Sequence, residues 1–238
     1  MDKKVIIVTG ANGDIGSPLV NCLIQEGYQV GACVRERAET NLEENRNLKI
    51  FNCNFSNKDS IKACISEIKE SYKNIYGLVN CVGIAHGGSF MMTSIDDINE
   101  VFSINYFSVI NFSQQIIRKM IKKRSGSIIN LASTAAILSD SGTLAYGSSK
   151  AALIHSSKVM AKELGAFNIR VNSIAPAVVE SKMANMMDKT SIEALENRAA
   201  ISSKIYPSEV VDMIIYLLSD SSVNITGQVI KIDRGITD

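Results

Sequence analysis

Residues 133–150 bring three side chains with proton chemistry into one short stretch: Ser133, Tyr146 thirteen positions on, and Lys150 four beyond that. In Tyr146-Gly-Ser-Ser-Lys150 the i, i+4 spacing places phenol and ammonium on one face of a helix. A phenol is a poor acid near neutrality, with an unperturbed pKa of about 10, and an ammonium one turn away favours the phenolate. A serine hydroxyl nearby could polarise a carbonyl that the tyrosine protonates. The same pair also reads as two exposed polar residues on a helix, so its meaning depends on the elements that would position it.

Those elements begin with Val5-Ile6-Ile7-Val8, a β-branched run that ends in Thr9-Gly10 and reads as a buried strand. Gly10-Ala-Asn-Gly13-Asp-Ile-Gly16 follows, then an apolar-periodic segment through Leu19, Val20, Leu23 and Ile24, closed by Gly27. Pro18 falls in the first turn of that helix, where its missing N–H costs little. Further strands are predicted over Tyr28–Val34, Leu48–Phe55, Leu78–Gly83, Ser127–Ala132, Ile169–Ile174 and Gln228–Ile232. Helices are predicted over Ile61–Tyr72, Ile95–Lys122, Tyr146–Leu164 and Ser208–Leu218. Alternating strands and helices call for a doubly wound α/β fold, a parallel sheet covered by helices on both faces, with residues 1–238 as a single domain. A strand, glycine turn and helix in that order can bind a dinucleotide: the glycines let the backbone approach a pyrophosphate, and the helix N-terminus offers free N–H groups to it.

Composition narrows the function. The chain has 238 residues, 46% of them apolar, and a net charge of +1, which leaves no basic footprint for nucleic acid or an anionic membrane. No apolar run reaches the roughly 18 residues of a spanning helix, and MDKKVIIVTG reads as a strand rather than a leader. Cys22, Cys33, Cys53, Cys64 and Cys81 form no CxxC and read as reduced thiols of a cytoplasmic protein. His86 and His155 have no partners at ligand spacing, so no metal site is predicted; His86 reads as a loop histidine that could line a pocket. From Ile98 to Ile121 apolar residues cover more than one stripe of the predicted helix, which implies burial on two sides and a homo-oligomer.

Thr9-Gly10…Gly16, Asn80-Cys-Val-Gly83, Asn105, Ile128-Ile-Asn-Leu-Ala-Ser133, Tyr146-Gly-Ser-Ser-Lys150, Arg170-Val-Asn-Ser-Ile-Ala-Pro176 and Ile225-Thr-Gly-Gln228 together resemble the short-chain dehydrogenase/reductase family. The likeness is to its short single-domain branch, which includes the 3-oxoacyl-acyl-carrier-protein reductases, and it runs from the first strand to the last. The resemblance implies a Rossmann-type fold, a nicotinamide cofactor, hydride transfer between a carbonyl and an alcohol, and a homotetramer. It implies Tyr146 as general acid/base, Lys150 as the group that lowers the phenol and bonds the nicotinamide ribose, and Ser133 as the group that orients the carbonyl. It further implies Asn105 as holder of a relay water. It assigns cofactor contacts to Gly10, Asn12, Asp14, Ile15 and Gly16 of the turn, to Asn54 and Phe55, to Asn80 and Gly83, and to Pro176, Val179 and Ser181. A mobile substrate lid is expected around residues 180–206, with Met183, Met186 and Met187 as an adaptable apolar wall.

Departures from the family pattern refine these expectations. Asp14 stands where the short branch has glycine, and the spacing Gly10, Gly13, Gly16 hints at the nucleotide-sugar branch, hence at a keto-sugar substrate. A carboxylate there would repel a pyrophosphate, so Asp14→Gly is expected to tighten NADPH binding. Val34 occupies the strand end where NAD enzymes carry an acid, and Arg35 follows, with Arg37 near enough to assist. That predicts NADP(H) as the preferred cofactor, with NAD(H) possible. Alternation points Glu36 away from the side that Arg35 faces. The expected activity is reduction of a 3-oxoacyl or other small ketone; a catalytically silent dinucleotide-binding module is the reading from another class.

Overall fold

The computed structural model describes residues 3–36, 40–186 and 189–236. Seven parallel strands form one sheet in the order β3-β2-β1-β4-β5-β6-β7. They are β1 (Val5–Thr9), β2 (Gln29–Val34), β3 (Leu48–Asn52), β4 (Gly77–Asn80), β5 (Gly126–Leu131), β6 (Ile169–Pro176) and β7 (Val229–Ile232). The first six are buried almost throughout, as near-continuous apolar runs in a parallel sheet must be. On one face α1 (Gly16–Gln25) and α8 (Pro207–Leu218) close a core through Leu19, Leu23, Val211 and Ile214. On the other, α2 (Lys58–Ser71), α4 (Ser108–Lys123) and α6 (Leu144–Leu164) bury Ile68, Phe112, Ile116 and Ala161.

β1 and β4 are neighbours, paired Ile7 to Leu78 and Thr9 to Asn80, although two strands separate them in sequence. The connection reverses direction there and opens a crevice beyond their carboxyl ends, the usual ligand position in such sheets. Strands β3 and β4 stop three residues earlier than the sequence predicts, at Asn52 and Asn80, because Cys53 and Cys81 each donate one last main-chain bond before the chain leaves the sheet.

The long helix expected from Ile95 is interrupted. α3 (Ile95–Phe102) starts at a capping box between Ser94 and Asp97, and one π-turn, Ser103–Phe107, separates it from α4. Such single-turn widenings concentrate at functional sites, and this one carries Asn105. Two short helices, α5 (Ala135–Leu138) and α7 (Lys189–Asn197), lie in loops that the sequence left without structure. Among the described residues no helix is long and apolar enough to cross a membrane.

Candidate active site

The glycine turn is packed so closely that Gly10 and Gly16 are compulsory. Gly10 has φ +64°, and a Cβ there would stand 3.0 Å from the Val82 nitrogen. A Cβ on Gly16 would stand 2.2 Å from the Gly10 carbonyl oxygen. Ala11 N–H donates to the Cys33 carbonyl at 3.1 Å, which fixes the turn beside the end of β2. Val82 N–H reaches Thr9 Oγ1 at 3.4 Å, which fixes it beside the end of β4. Backbone that cannot tolerate a methyl group, set at the opening of α1, is the cradle a dinucleotide pyrophosphate requires, so the residues present fit that cofactor.

Gly83 marks where the catalytic candidates converge. A methyl group on it would lie 3.2 Å from Lys150 Nζ and 3.3 Å from Asn105 Oδ1. Lys150 is buried and donates to the Leu131 carbonyl at 2.8 Å. Its Nζ lies 5.8 Å from the centroid of the Tyr146 ring, so the helical spacing does place the two together. Ser133, two residues past the end of β5, accepts from Ala135 N–H at 3.2 Å, and its hydroxyl lies near enough to Tyr146 to lower the phenol's pKa. Asn105 is fully buried: its Oδ1 accepts from Ile84 N–H at 2.8 Å, and its Nδ2 donates to the Ile84 carbonyl and to Ser149 Oγ. Ser149 in turn donates to the Tyr146 carbonyl at 2.7 Å. The π-turn and the first turn of α6 are thus bolted together, a contribution of Ser149 that the Tyr-x-x-x-Lys spacing does not reveal. A second buried chain was also missed. Asn80 Nδ2 donates to Ser113 Oγ and Asn130 Oδ1, and Asn130 Nδ2 donates to Ser157 Oγ, which ties α4, β4, β5 and α6 behind the site.

Electrostatics qualify one expectation. Burial pushes the Tyr146 phenol up, and the Ser133 hydroxyl pulls it only partly back. Burial also pushes Lys150 from 10.5 down to about 8, opposed by the neighbouring Cys81 thiol. A lysine whose folded pKa is depressed destabilises the fold at every pH below that value, and the penalty fades as pH rises from about 8 to 10.5. A depression of that size corresponds to ~3 kcal/mol, and loss of the bond to Leu131 returns about 1 kcal/mol. Lys150→Met is therefore expected to stabilise the protein by ~2 kcal/mol at pH 7 while abolishing its catalytic use. Urea unfolding at pH 7 and pH 10 checks this: the advantage must shrink at the higher pH, and a variant less stable than wild type at pH 7 contradicts it.

Other predicted residues fall around this centre in different ways. Pro176 ends β6, and its carbonyl accepts from Thr134 N–H at 2.9 Å, beside Ser133. Arg35 is exposed just past the end of β2; Arg37 lies outside the described residues. Asn54 Oδ1 is taken by Ser56, and the Phe55 ring packs into the core 5.4 Å from Phe112, so Phe55 can offer an adenosine only its main chain. Val179 is buried and bridges Ile205, while Ser181 Oγ donates to the Val179 carbonyl and accepts from Ala184 N–H. Asn12 and Ile15 lie in the turn itself. The Asp14 carboxylate accepts from Lys182 N–H at 2.7 Å, a contact 168 residues away in sequence. His86 Nε2 stands 3.8 Å from Asp97, at the cap of α3. Met183 is exposed, and Met187 lies outside the described residues.

A family model described as enoyl-(acyl carrier protein) reductase matches residues 10–237. The 3-oxoacyl-acyl-carrier-protein reductase FabG of Thermotoga maritima is 34% identical over 242 residues, covering 99% of this chain and 98% of that protein. Acetoacetyl-CoA reductase of an Acinetobacter species is 27% identical, over 99% of this chain and 98% of its own. Among solved structures, a 4-hydroxyisoleucine dehydrogenase complexed with NADH has a TM-score of 0.91 at 27% identity, covering 99% of each chain. ElxO with NADP bound has a TM-score of 0.90 at 20% identity, again over 99% of each chain, and shares the fold.

Proposed function

The chain belongs to the short-chain dehydrogenase/reductase family, and from that membership we propose that it is an NADPH-dependent reductase of 3-oxoacyl thioesters or a closely related small ketone. The observation that carries this reading is the convergence of Tyr146, Ser133, Lys150 and Asn105 beside Gly83, at the mouth of a pyrophosphate cradle. When bound, the nicotinamide would supply the hydride. Ser133 Oγ–H and Tyr146 Oη–H would donate to the substrate carbonyl oxygen and stabilise the charge that develops on it. Tyr146 would then pass its proton to that oxygen. Its raised pKa keeps it protonated for this task. Lys150, still ammonium below pH about 8, would offset the negative charge left on the phenolate oxygen. Asn105 would hold the loop at Ile84 and the start of α6 in register. Gly10, Gly16 and the amides opening α1 would hold the pyrophosphate, and Arg35 the adenosine end.

Two relatives named for 3-oxoacyl thioesters support that substrate class. Initial rates of NADPH consumption test it, with acetoacetyl-CoA, a keto-sugar, a simple cyclic ketone and crotonyl-CoA side by side. The last is included because the matching family model carries the name of an enoyl reductase. Acetoacetyl-CoA should be turned over fastest. Preference for the keto-sugar would favour the reading hinted at by the Gly10, Gly13, Gly16 spacing. Tight NADPH binding without turnover of any of them would favour a silent module.

We further propose a cytoplasmic homotetramer. After folding, Phe102, Tyr106, Phe107 and Ile110 remain wholly or partly exposed along α3, the π-turn and α4, with ring centroids 5.3–6.2 Å apart. An aromatic strip of this kind on a helix favours association. Light scattering at micromolar concentration should give four times the 25.9 kDa chain mass, and a monomer would contradict the proposal.

A further inference from the structure

We propose that Cys33 and Cys64 form a site of reversible oxidation, at which a small peroxide joins them in a disulfide that ties α2 to β2 and weakens dinucleotide binding. The effect on binding rests on the cofactor assignment above; the oxidation site does not. Three thiols from three parts of the chain meet in one apolar cluster: Cys33 in β2, Cys53 just past β3 and Cys64 in α2, all buried. Cys33 Sγ and Cys64 Sγ stand 3.9 Å apart and share a hydrogen bond. A disulfide brings two sulfurs to about 2.05 Å, so they have roughly 2 Å to close. The neighbouring Cys33 and Cys53 sulfurs pull the Cys64 thiol below its ordinary value, while Cys33 and Cys53 are themselves pushed up. Cys64 is therefore the sulfur that reacts first. Its thiolate attacks one peroxide oxygen, the O–O bond breaks, and hydroxide leaves a sulfenic acid behind. The Cys33 sulfur then attacks the Cys64 sulfur, the S–O bond breaks, and the Cys33 proton departs with that oxygen as water. Two thiols give up two electrons, and one peroxide becomes two waters.

The geometry connects this bond to the cofactor crevice. β2 is paired on both sides, Cys33 with Thr9 of β1 and with Phe51 of β3, so the strand resists displacement. The helix α2 must move toward it instead. Cys64 lies one turn beyond Ser60, on the same helix face. Ser60 Oγ accepts from Asn54 N–H at 2.9 Å, and Asn57, the N-cap of α2, donates its N–H to the Asn54 carbonyl at 3.0 Å. A shift of α2 therefore drags the loop at Asn54 and Phe55, to which the adenosine end of the cofactor is assigned. Because the thiols are buried, oxidation proceeds through local opening of α2 and is slower than at an exposed cysteine. In a reducing cytoplasm such a disulfide is transient, which suits a sensor rather than a permanent staple.

Hydrogen peroxide treatment of the wild-type chain, then alkylation of the remaining thiols, proteolysis and mass spectrometry, tests the site without any variant. One peptide pair linked through Cys33 and Cys64 should appear, about 2 Da lighter than the two reduced peptides together, and dithiothreitol should separate it. Fluorescence titration should give the oxidised chain a Kd for NADPH about 5-fold higher, the size of one lost hydrogen bond, restored by dithiothreitol. Cys64→Ala should bind NADPH within about 2-fold of wild type and should not respond to peroxide. A link between Cys53 and Cys64, or sulfur that gains oxygen without any link, overturns the pair. A Cys33–Cys64 link that leaves Kd unchanged, or a Cys64→Ala chain that peroxide weakens as much as wild type, overturns the coupling to the crevice. A reduced wild type that binds no dinucleotide, in which the link still forms, sinks the cofactor assignment and keeps the oxidation site. Circular-dichroism melts confirm that the chains compared are folded.

Discussion

Tyr146→Phe is expected to lower turnover of the ketone by at least ~100-fold while leaving NADPH affinity within about 2-fold of wild type, since a positioned general acid contributes ~100- to ~10,000-fold. The substitution removes one oxygen and keeps the ring. The bonds that anchor the start of α6 do not use that oxygen: Lys150 bonds the Leu131 carbonyl, and Ser149 links the Tyr146 carbonyl to Asn105. The loss should therefore fall on kcat, with KM little changed. Water is a poor substitute donor inside a site that already pushes the phenol up by burial. The pH profile of wild type adds a signature. In the reductive direction the phenol stays protonated through neutrality, and Lys150 loses its charge through about pH 8, so kcat should fall above that value. A variant that keeps a tenth of wild-type turnover, or a wild-type rate that rises through pH 8, would remove Tyr146 from the role of proton donor.

The parts of this site legible in the sequence are those set by local spacing. Tyr146 and Lys150 share a helix face because four residues make about one turn, and Gly10 and Gly16 announce a backbone approach because no side chain fits there. What spacing cannot show is environment. It put an ammonium near a phenol and suggested a lowered phenol, whereas burial acts on both groups and moves Tyr146 up and Lys150 down. Periodicity likewise predicted one helix through Asn105, because a single π-turn adds one residue to a turn without changing the apolar composition around it. Asn54 and Phe55 were read together as cofactor contacts, and the turn after Asn52 sends the Phe55 ring into the core, which leaves its main chain for that contact. The Asp14 to Lys182 contact joins ends of the chain 168 residues apart, and no local pattern carries it.

Arg35→Ala is expected to raise the KM for NADPH by ~30-fold and to leave the KM for NADH within about 2-fold, the size of a lost charge-assisted contact to a 2′-phosphate. Choice between the two cofactors in this fold is made at the end of the second strand, where the adenosine ribose lies. An NAD enzyme holds an acid there to accept from the ribose hydroxyls, and that acid repels a phosphate. Here β2 ends in Val34, which is buried and can neither accept nor repel. Arg35 follows at the surface, beside the cradle that the Ala11 to Cys33 bond fixes against the same strand end. A guanidinium offers forked donors that match a phosphate, whereas it gains nothing from a bare hydroxyl pair. Glu36 is the opposing charge, also exposed and, like Arg35, past the end of the strand. The relatives do not decide the matter, because solved neighbours include one with NADP bound and one complexed with NADH. Steady-state kinetics of wild type and Arg35→Ala with both cofactors decides it. A wild type that prefers NADH, or a variant weakened equally toward both, would mean that Arg35 does not read the 2′-phosphate.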